Sequence, residues 1–266
     1  MPWDIVGCNL ARLFRDAHAA CLADGGCVIC DRHSSGIIDL SERTRRWEVR
    51  LALMAEMLDV FDEHMRPIGV LSREETHRLG LWHQTFHCWV VHRLTAGDFL
   101  LLQKRHESKD THPGKFDTSC AGHLEAGETP RDGVREIREE LGVEVNVDQL
   151  HKVGIHAFSD DLGEIQDREF CHVFVWIREG LDLREYRPAL DEVSGLYLVG
   201  VGDMRGLCGR EIEKVTVSGF AIEGEDKRVE ELRQIRMGDL ARDDPAYFNL
   251  LFSSLDALGL GAGEDG

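Results

Sequence analysis

The sequence predicts a mixed α/β fold, with strands on either side of one central, charge-rich helix. Two observations carry most of that expectation. Short apolar or alternating runs recur between Leu58 and Val199, the pattern of strands. Among them, the stretch from Pro130 to Leu141 reads as a helix and closes on Gly142, a residue that readily takes the left-handed turn at a helix end. No internal repeat interrupts this order, so a layered α/β unit is the simplest arrangement.

The elements follow in three zones. Residues 1–56 read as an N-terminal helical extension. Leu10, Leu13, Phe14 and Ala17 fall near helical spacing within 8–22, and Asp39 with Glu42 suits the start of a second helix running toward Leu53. Between these, Cys27 and Cys30, with Cys21 and His33 close by, have the spacing of zinc ligands. Without a second clear pair, packed thiols are the stronger reading.

Residues 57–205 form the central domain. Leu58 to Phe61 and Ile68 to Leu71 read as a strand pair around a turn at His64 to Pro67, and Ser72 with Glu75 suits a capping box on a short helix. Phe86 to Val91 and Phe99 to Leu102 read as strands joined around Gly97, followed by a polar loop over 106–119. After the central helix, Val153 to Phe158, Phe170 to Ile177 and Leu196 to Val199 are further strands. Trp82, His83, His87 and Trp89 could line a stacking pocket, but ordinary strand core explains them more simply.

Residues 206–266 are a C-terminal extension expected to pack on the central domain. Lys214 to Ile222 and Val229 to Ile235 read as strands, and Tyr247 to Leu258 as an amphipathic helix. That helix serves as core or as a dimer-packing face, which leaves a homodimer open. The Gly-rich, acidic end from Gly259 reads as a disordered tail.

Composition narrows the function. The chain has 266 residues and a net charge of -18, from 49 acidic and 31 basic side chains. Such a surplus repels nucleic-acid phosphates, which argues against general DNA or RNA binding. An anionic small substrate would need local basic groups or bound cations. No run reaches membrane-spanning length, and the opening residues lack the basic and apolar regions of a secretory signal. The eight cysteines show no small disulfide framework, so reduced thiols and a cytoplasmic setting are expected.

The chemistry centres on the central helix. Glu136, Glu139 and Glu140 stand at i, i+3 and i+4, so one helix face carries all three. Like charges at these spacings cost an isolated helix roughly 0.2–0.5 kcal/mol per pair. A divalent cation would relieve that repulsion, and oxygen ligands suit Mg2+ or Mn2+. Arg135 can pair with a carboxylate and hold it in position. On the triplet alone, a solvated charged helix is the simpler reading.

The preceding loop changes that balance. Gly122, then Glu128 six residues on, then Arg135, Glu136, Glu139, Glu140 and Gly142 together resemble the Nudix box. The resemblance implies an α/β/α sandwich around a mixed sheet. It implies metal ligation by Glu136, Glu139, Glu140 and the backbone carbonyl near Gly122, with Arg135 orienting a glutamate. It also implies attack of an activated water on the diphosphate bond of a small organic substrate. The base would be a box glutamate, Glu136 or Glu139, or one from a later element such as Glu169 or Glu192. One departure stands out: six residues separate Glu128 from Arg135 where the family pattern has seven. A deletion within the helix would rotate the carboxylates by about 100°, so it is expected in the loop or first turn, near Arg131, Asp132 and Gly133.

Roughly residues 57 to 200 also resemble type I isopentenyl-diphosphate isomerases, which share the Nudix fold. The likeness runs through Leu58 to Val60, Leu81 to His83, and Lys104 to His123. It makes Arg105, Lys109 and His123 candidate substrate-binding residues. It brings His83, His123, Asp167 and Glu169 near a histidine-rich metal site, with His77 less well aligned. The isomerase needs a cysteine just before its Gly-His pair. Here Ala121 stands there, and Cys120, one residue early, should point to the opposite strand face. The combination is similar to isopentenyl-diphosphate-isomerase-like Nudix hydrolases. An isomerase and a non-catalytic diphosphate-binding module are the alternatives.

Overall fold

The computed structural model describes residues 55–261, apart from 162, 164, 165, 225 and 226. The expected N-terminal helices, the Cys27 and Cys30 pair, and most of the expected tail lie outside the described residues. Among the described residues, eleven strands form one sheet. They are β1 (Met57–Phe61), β2 (Pro67–Ser72), β3 (Trp82–Leu94), β4 (Gly97–Arg105), β5 (Phe116–Asp117), β6 (Cys120–His123), β7 (Leu150–Asp161), β8 (Gln166–Glu179), β9 (Val193–Gly200), β10 (Val215–Glu223) and β11 (Lys227–Ile235). The described α-helices are α1 (Arg73–Leu79), α2 (Arg135–Leu141), α3 (Val201–Cys208) and α4 (Pro245–Ala257).

The main path of the sheet runs β11-β10-β9-β4-β3-β1-β2, and β3 also carries β6 and β8, with β7 beyond β8. The β3–β8 pairing is parallel and pairs His83 with Glu169 through to Arg93 with Glu179. Every other ladder is antiparallel, from β1–β2 to β10–β11. The sheet is therefore mixed, as expected.

Strand alternation sorts the core into two layers. On one face Phe86, Cys88, Val90 and Leu101 pack with Ile137 and Leu141 of α2. On the other Trp89, Val91, Leu100 and Leu102 pack with Met204 and Leu207 of α3 and with Tyr247, Phe248, Leu251 and Phe252 of α4. This is an α/β/α sandwich. The apolar side of α4 is spent on the core.

Several elements begin or end where local chemistry dictates. Ser72 caps α1 by accepting from the Glu75 amide, as the sequence suggests. The central helix is shorter than expected: α2 starts at Arg135, and Asp132–Val134 forms a 3-10 turn before it. The glutamates all lie within the continuous α2, so the short loop ahead of it leaves their relative positions unchanged. Gly133 lies buried against the sheet. An added Cβ there would come within 2.6 Å of the Phe86 Cβ and 2.8 Å of Leu124 Cδ2. Strand β3 runs longer than expected at both ends, since its flanking polar residues still have ladder partners. Helix α3 is not expected from the sequence, because Gly202 and Gly206 mask its helical pattern.

The C-terminal residues extend this frame. Hairpin β10–β11 joins the sheet beside β9. The chain then runs alongside β5, where Leu240 bridges Phe116 and the Ala241 amide donates to the Phe116 carbonyl at 2.7 Å. Asp244 caps α4 through the Ala246 and Tyr247 amides and holds His156 Nε2 of β7 at 2.6 Å. No helix among the described residues is long and apolar enough to cross a membrane.

Gly133→Ala forces a methyl into the Phe86–Leu124 contact. It should destabilise the protein by about 1–3 kcal/mol in urea unfolding. An unchanged unfolding midpoint would contradict the packing described for the shortened loop.

Candidate active site

Along β3 and β8 a single face changes character with length. His83, Thr85 and His87 give way to Trp89 and Val91, while Asp167 and Glu169 give way to Cys171, Val173 and Val175. The apolar stretches are core. Thr85, His87, Asp167 and Glu169 line a cleft of about 650 Å³, and His83 lies buried behind it. Helices α1 and α2, strand β6, the 105–112 and 189–192 segments, and Ala241 and Arg242 complete its walls.

One pole of the cleft is carboxylate. Arg135 organises it: Nε and Nη2 hold Glu128 in a two-point contact of 2.8 and 3.0 Å, and Nη2 also donates to the His123 carbonyl at 3.0 Å. Nη1 bridges Glu136 Oε1 at 2.5 Å and Glu139 Oε2 at 2.9 Å. Glu128 thus reaches Arg135 despite the short loop. Glu140 is pinned through one oxygen, Oε2, by the Ala121 amide at 3.1 Å and Gln103 Nε2 at 3.0 Å. Glu136 and Glu140 are buried, whereas Glu139 stands at the rim. A side chain at Gly122 would overlap the Glu136 carboxyl, so a glycine is required for the close approach of β6 to α2. Burial pushes Glu136 up to about 7 and Glu140 up to about 8, and neighbouring acids add to both shifts.

The other pole is histidine-rich. The ligand atoms of His77, His83 and His123 lie within 4.8 Å of one another, as do those of His83, Asp167 and Glu169. His83 Nδ1 contacts the Leu81 carbonyl at 3.1 Å, which places its proton there and turns the lone pair of Nε2 inward. His77 Nε2, His83 Nε2 and Asp167 Oδ1 are buried without a hydrogen-bond partner. Asp167 Oδ1 stands 3.9 and 3.6 Å from those two nitrogens. Burial lowers His77 to about 4 and His83 to about 3, so both are neutral at pH 7. Neutral imidazoles beside a carboxylate, with buried atoms lacking partners, fit a divalent cation. Burial, and then the Glu169 charge, holds Asp167 well above the usual carboxylate range. For Glu169, burial is outweighed by Arg242 and nearby histidines, which hold it well below the usual carboxylate range.

The expected phosphate-side residues line the same cleft with partners of their own. Arg105 braces the 105–112 loop by donating to the Thr111 carbonyl, Thr111 Oγ1 and Asp117 Oδ2, all at 3.0–3.1 Å. Lys109 pairs with Glu192 across the mouth. His123 belongs to the histidine pole, with Nδ1 3.0 Å from Glu56. On β6, Ala121 lines the cleft while Cys120 is buried against α2 in the core, and burial pushes its thiol well above the usual range. The side of the strand expected for each is the side observed.

Sequence reasoning missed several participants. Gln103 and Glu56 carry no motif. His87 reads as core but also lines the cleft. Arg242, far downstream of the box, pairs with Glu169 at 3.2 Å. Its only sequence signal is a basic residue before the α4 cap at Asp244.

The chain is similar to several known proteins. A family model for the NUDIX domain matches residues 81–206. An uncharacterized Nudix hydrolase of Clostridium acetobutylicum is 38% identical over 200 residues, covering 75% of this chain and 97% of that protein. Isopentenyl-diphosphate Delta-isomerase 2 of Photorhabdus laumondii is 30% identical over 165 residues, covering 62% of this chain and 88% of that protein. A solved Deinococcus radiodurans structure is 22% identical with a TM-score of 0.45, covering 59% of this chain and 88% of its own. Box and sandwich together define a hydrolase acting on diphosphate bonds. The chain belongs to the Nudix hydrolase family.

The raised carboxyls have a consequence for stability. Glu136, Glu140 and Asp167 hold protons in the folded state at pH values where the unfolded chain has lost them. Their contribution is present at lower pH and is lost as pH rises through about 7–8. The depressed histidines act in the opposite sense, but only below their ordinary value of 6.5. Thermal melts of cation-free protein should therefore fall in midpoint between pH 6.5 and about 8.5, and Glu140→Gln should flatten that fall. A saturating divalent cation should restore the lost stability. A midpoint that rises over this range would contradict the assignment.

Proposed function

We propose that this chain is a divalent-cation-dependent pyrophosphohydrolase, using Mg2+ or Mn2+, that cleaves a small organic diphosphate by attack of water. A nucleoside diphosphate derivative or another organic diphosphate is the substrate class. The observation that carries the reading is the convergence of Glu136, Glu139 and Glu140 with the histidine pole in one cleft. Glu136, Glu139 and Glu140, with the Gly122 carbonyl, would hold the cation at the carboxylate pole. His77, His83, His123, Asp167 and Glu169 would hold one at the other pole. Bound cations would neutralise the diphosphate and lower the pKa of a nearby water.

The chain's own residues supply the rest. Arg135 keeps Glu136 and Glu139 oriented, so little reorganisation is needed when substrate arrives. Glu140 presents its Oε1 because Oε2 is occupied by Ala121 and Gln103. Glu139, at the rim, is the box residue best exposed to accept a proton from water. Glu192 is the loop alternative. Lys109 holds it across the mouth, and a substrate phosphate competing for that lysine would release it. Arg105 and Lys109 border the space for the phosphates, giving this acidic protein the local positive charge an anionic substrate needs.

The histidine pole also favours a second reading, an isomerase. Ala121 opposes it, because no thiol stands at the position facing the cleft, and the Cys120 thiol is buried on the other side.

A panel of organic diphosphates with Mg2+ or Mn2+ tests both readings. Phosphate-bearing products should form with at least one substrate. Glu139→Gln and Glu140→Gln should each reduce kcat by about 10²–10⁴-fold, with the fold retained by circular dichroism. Rearrangement of an isoprenoid diphosphate with its diphosphate intact would overturn the hydrolase reading in favour of the isomerase.

A further inference from the structure

The contacts around Glu169 are unequal. Its Oε2 receives Arg242 Nη2 at 3.2 Å and the Cys171 thiol at 3.3 Å, and His87 Nε2 stands 3.8 Å away. All these contacts converge on one oxygen. Glu169 also offers a carboxylate oxygen within 4.8 Å of ligand atoms of His83 and Asp167, and Oε1 carries none of the three contacts.

Two of the three contacts trace back to the C-terminal segment. Arg242 lies between two anchors, the Ala241 amide on Phe116 and Asp244 on His156. Its guanidinium lies over the Phe158 ring, 3.7 Å from the centroid, with Tyr247 at 5.0 Å. Stacking against a ring restricts the planar guanidinium and fixes the direction in which Nη2 donates.

The second path runs through Tyr247. Trp89 Nε1, which can only donate, gives its proton to the Tyr247 hydroxyl at 3.0 Å. The hydroxyl proton then has His87 Nδ1 as its acceptor, also at 3.0 Å. A neutral His87 that accepts at Nδ1 carries its proton on Nε2, the nitrogen facing Glu169 Oε2. Tyr247 thus selects the tautomer that directs an N–H toward Glu169.

We propose that the C-terminal segment is part of the cation site: Arg242 directly, and Tyr247 through His87, are positioning residues that hold Glu169 Oε2 inward and present Oε1 to the histidine pole. This rests on the reading of that pole as a cation site. Residues behind a ligand typically change cation affinity 10–100-fold when removed. The role lies outside the 81–206 family match, which makes the C-terminal extension a working part of the site.

The test uses Co2+ as the probe, titrated into the full chain and followed by calorimetry and visible absorption. Wild type, Arg242→Gln, Arg242→Lys, Tyr247→Phe and His83→Ala are compared. His83→Ala should lose the histidine-ligated spectrum. Arg242→Gln should bind that Co2+ about 10–100-fold more weakly with an altered spectrum, and Arg242→Lys should recover part of the loss. Tyr247→Phe, which keeps the ring, should weaken binding in the same direction and carries the test if Arg242→Gln does not fold. Co2+ affinity and spectrum unchanged in Arg242→Gln and Tyr247→Phe, with His83→Ala defective, would overturn the positioning role alone. Co2+ binding identical in wild type and His83→Ala would overturn the histidine pole, and this proposal with it.

Discussion

The guanidinium of Arg135 is the contact on which the rest of the carboxylate pole depends. It joins loop to helix through Glu128, and strand to helix through the His123 carbonyl. It also stands between Glu136 and Glu139. A helix bearing three glutamates on one side would otherwise have little reason to press against a sheet. Ile137 and Leu141 supply the apolar anchor, and Arg135 compensates the charge that comes with it. A lysine could not replace it, because a single ammonium cannot make a two-point contact with Glu128 while also bridging two other carboxylates.

The cleft exists because strands β3 and β8 run parallel and in register. His83 pairs with Glu169, and Phe86 with His172. Polar residues at the start of each strand are therefore brought together at one end of the sheet, while the apolar remainder builds the core under α3 and α4. Site and core share one strand face and differ only by position along it. Core packing so holds the site in shape. Burial also sets its electrostatics, raising Glu136 and Glu140 and keeping His77 and His83 neutral. Each shift lowers the charge of the free site, and a bound divalent cation would reverse the preference for the protonated carboxyls.

What could be read from the sequence was local. The α2 carboxylates, the Gly142 stop and the Ser72 cap depend on residues within one or two turns, so spacing alone reveals them. The opposite facing of Cys120 and Ala121 follows from strand geometry. The shortened box loop was legible as a deletion, but the packing of its 3-10 turn against Phe86, about 47 positions upstream of Gly133 on another strand, was not. Gln103 on Glu140 and Arg242 on Glu169 join residues 37 and 73 positions apart, and no periodicity encodes such pairs. His87 illustrates the same limit: its place on the strand predicted burial, while its role depended on Tyr247, 160 residues away. Helix α3 went unread because its glycines weaken the local signal and packing against β9 and α4 supplies the missing stability.

The central claim is that this cleft directs water onto a diphosphate bond. Its most direct measurement is the reaction of a cleaved diphosphate in 18O-labelled water with Mg2+ or Mn2+, with the products read by mass spectrometry. The account predicts one 18O atom in one of the two phosphate-bearing products, and no turnover when the cation is chelated. Products without label, or a rearranged substrate with its diphosphate intact, would contradict it.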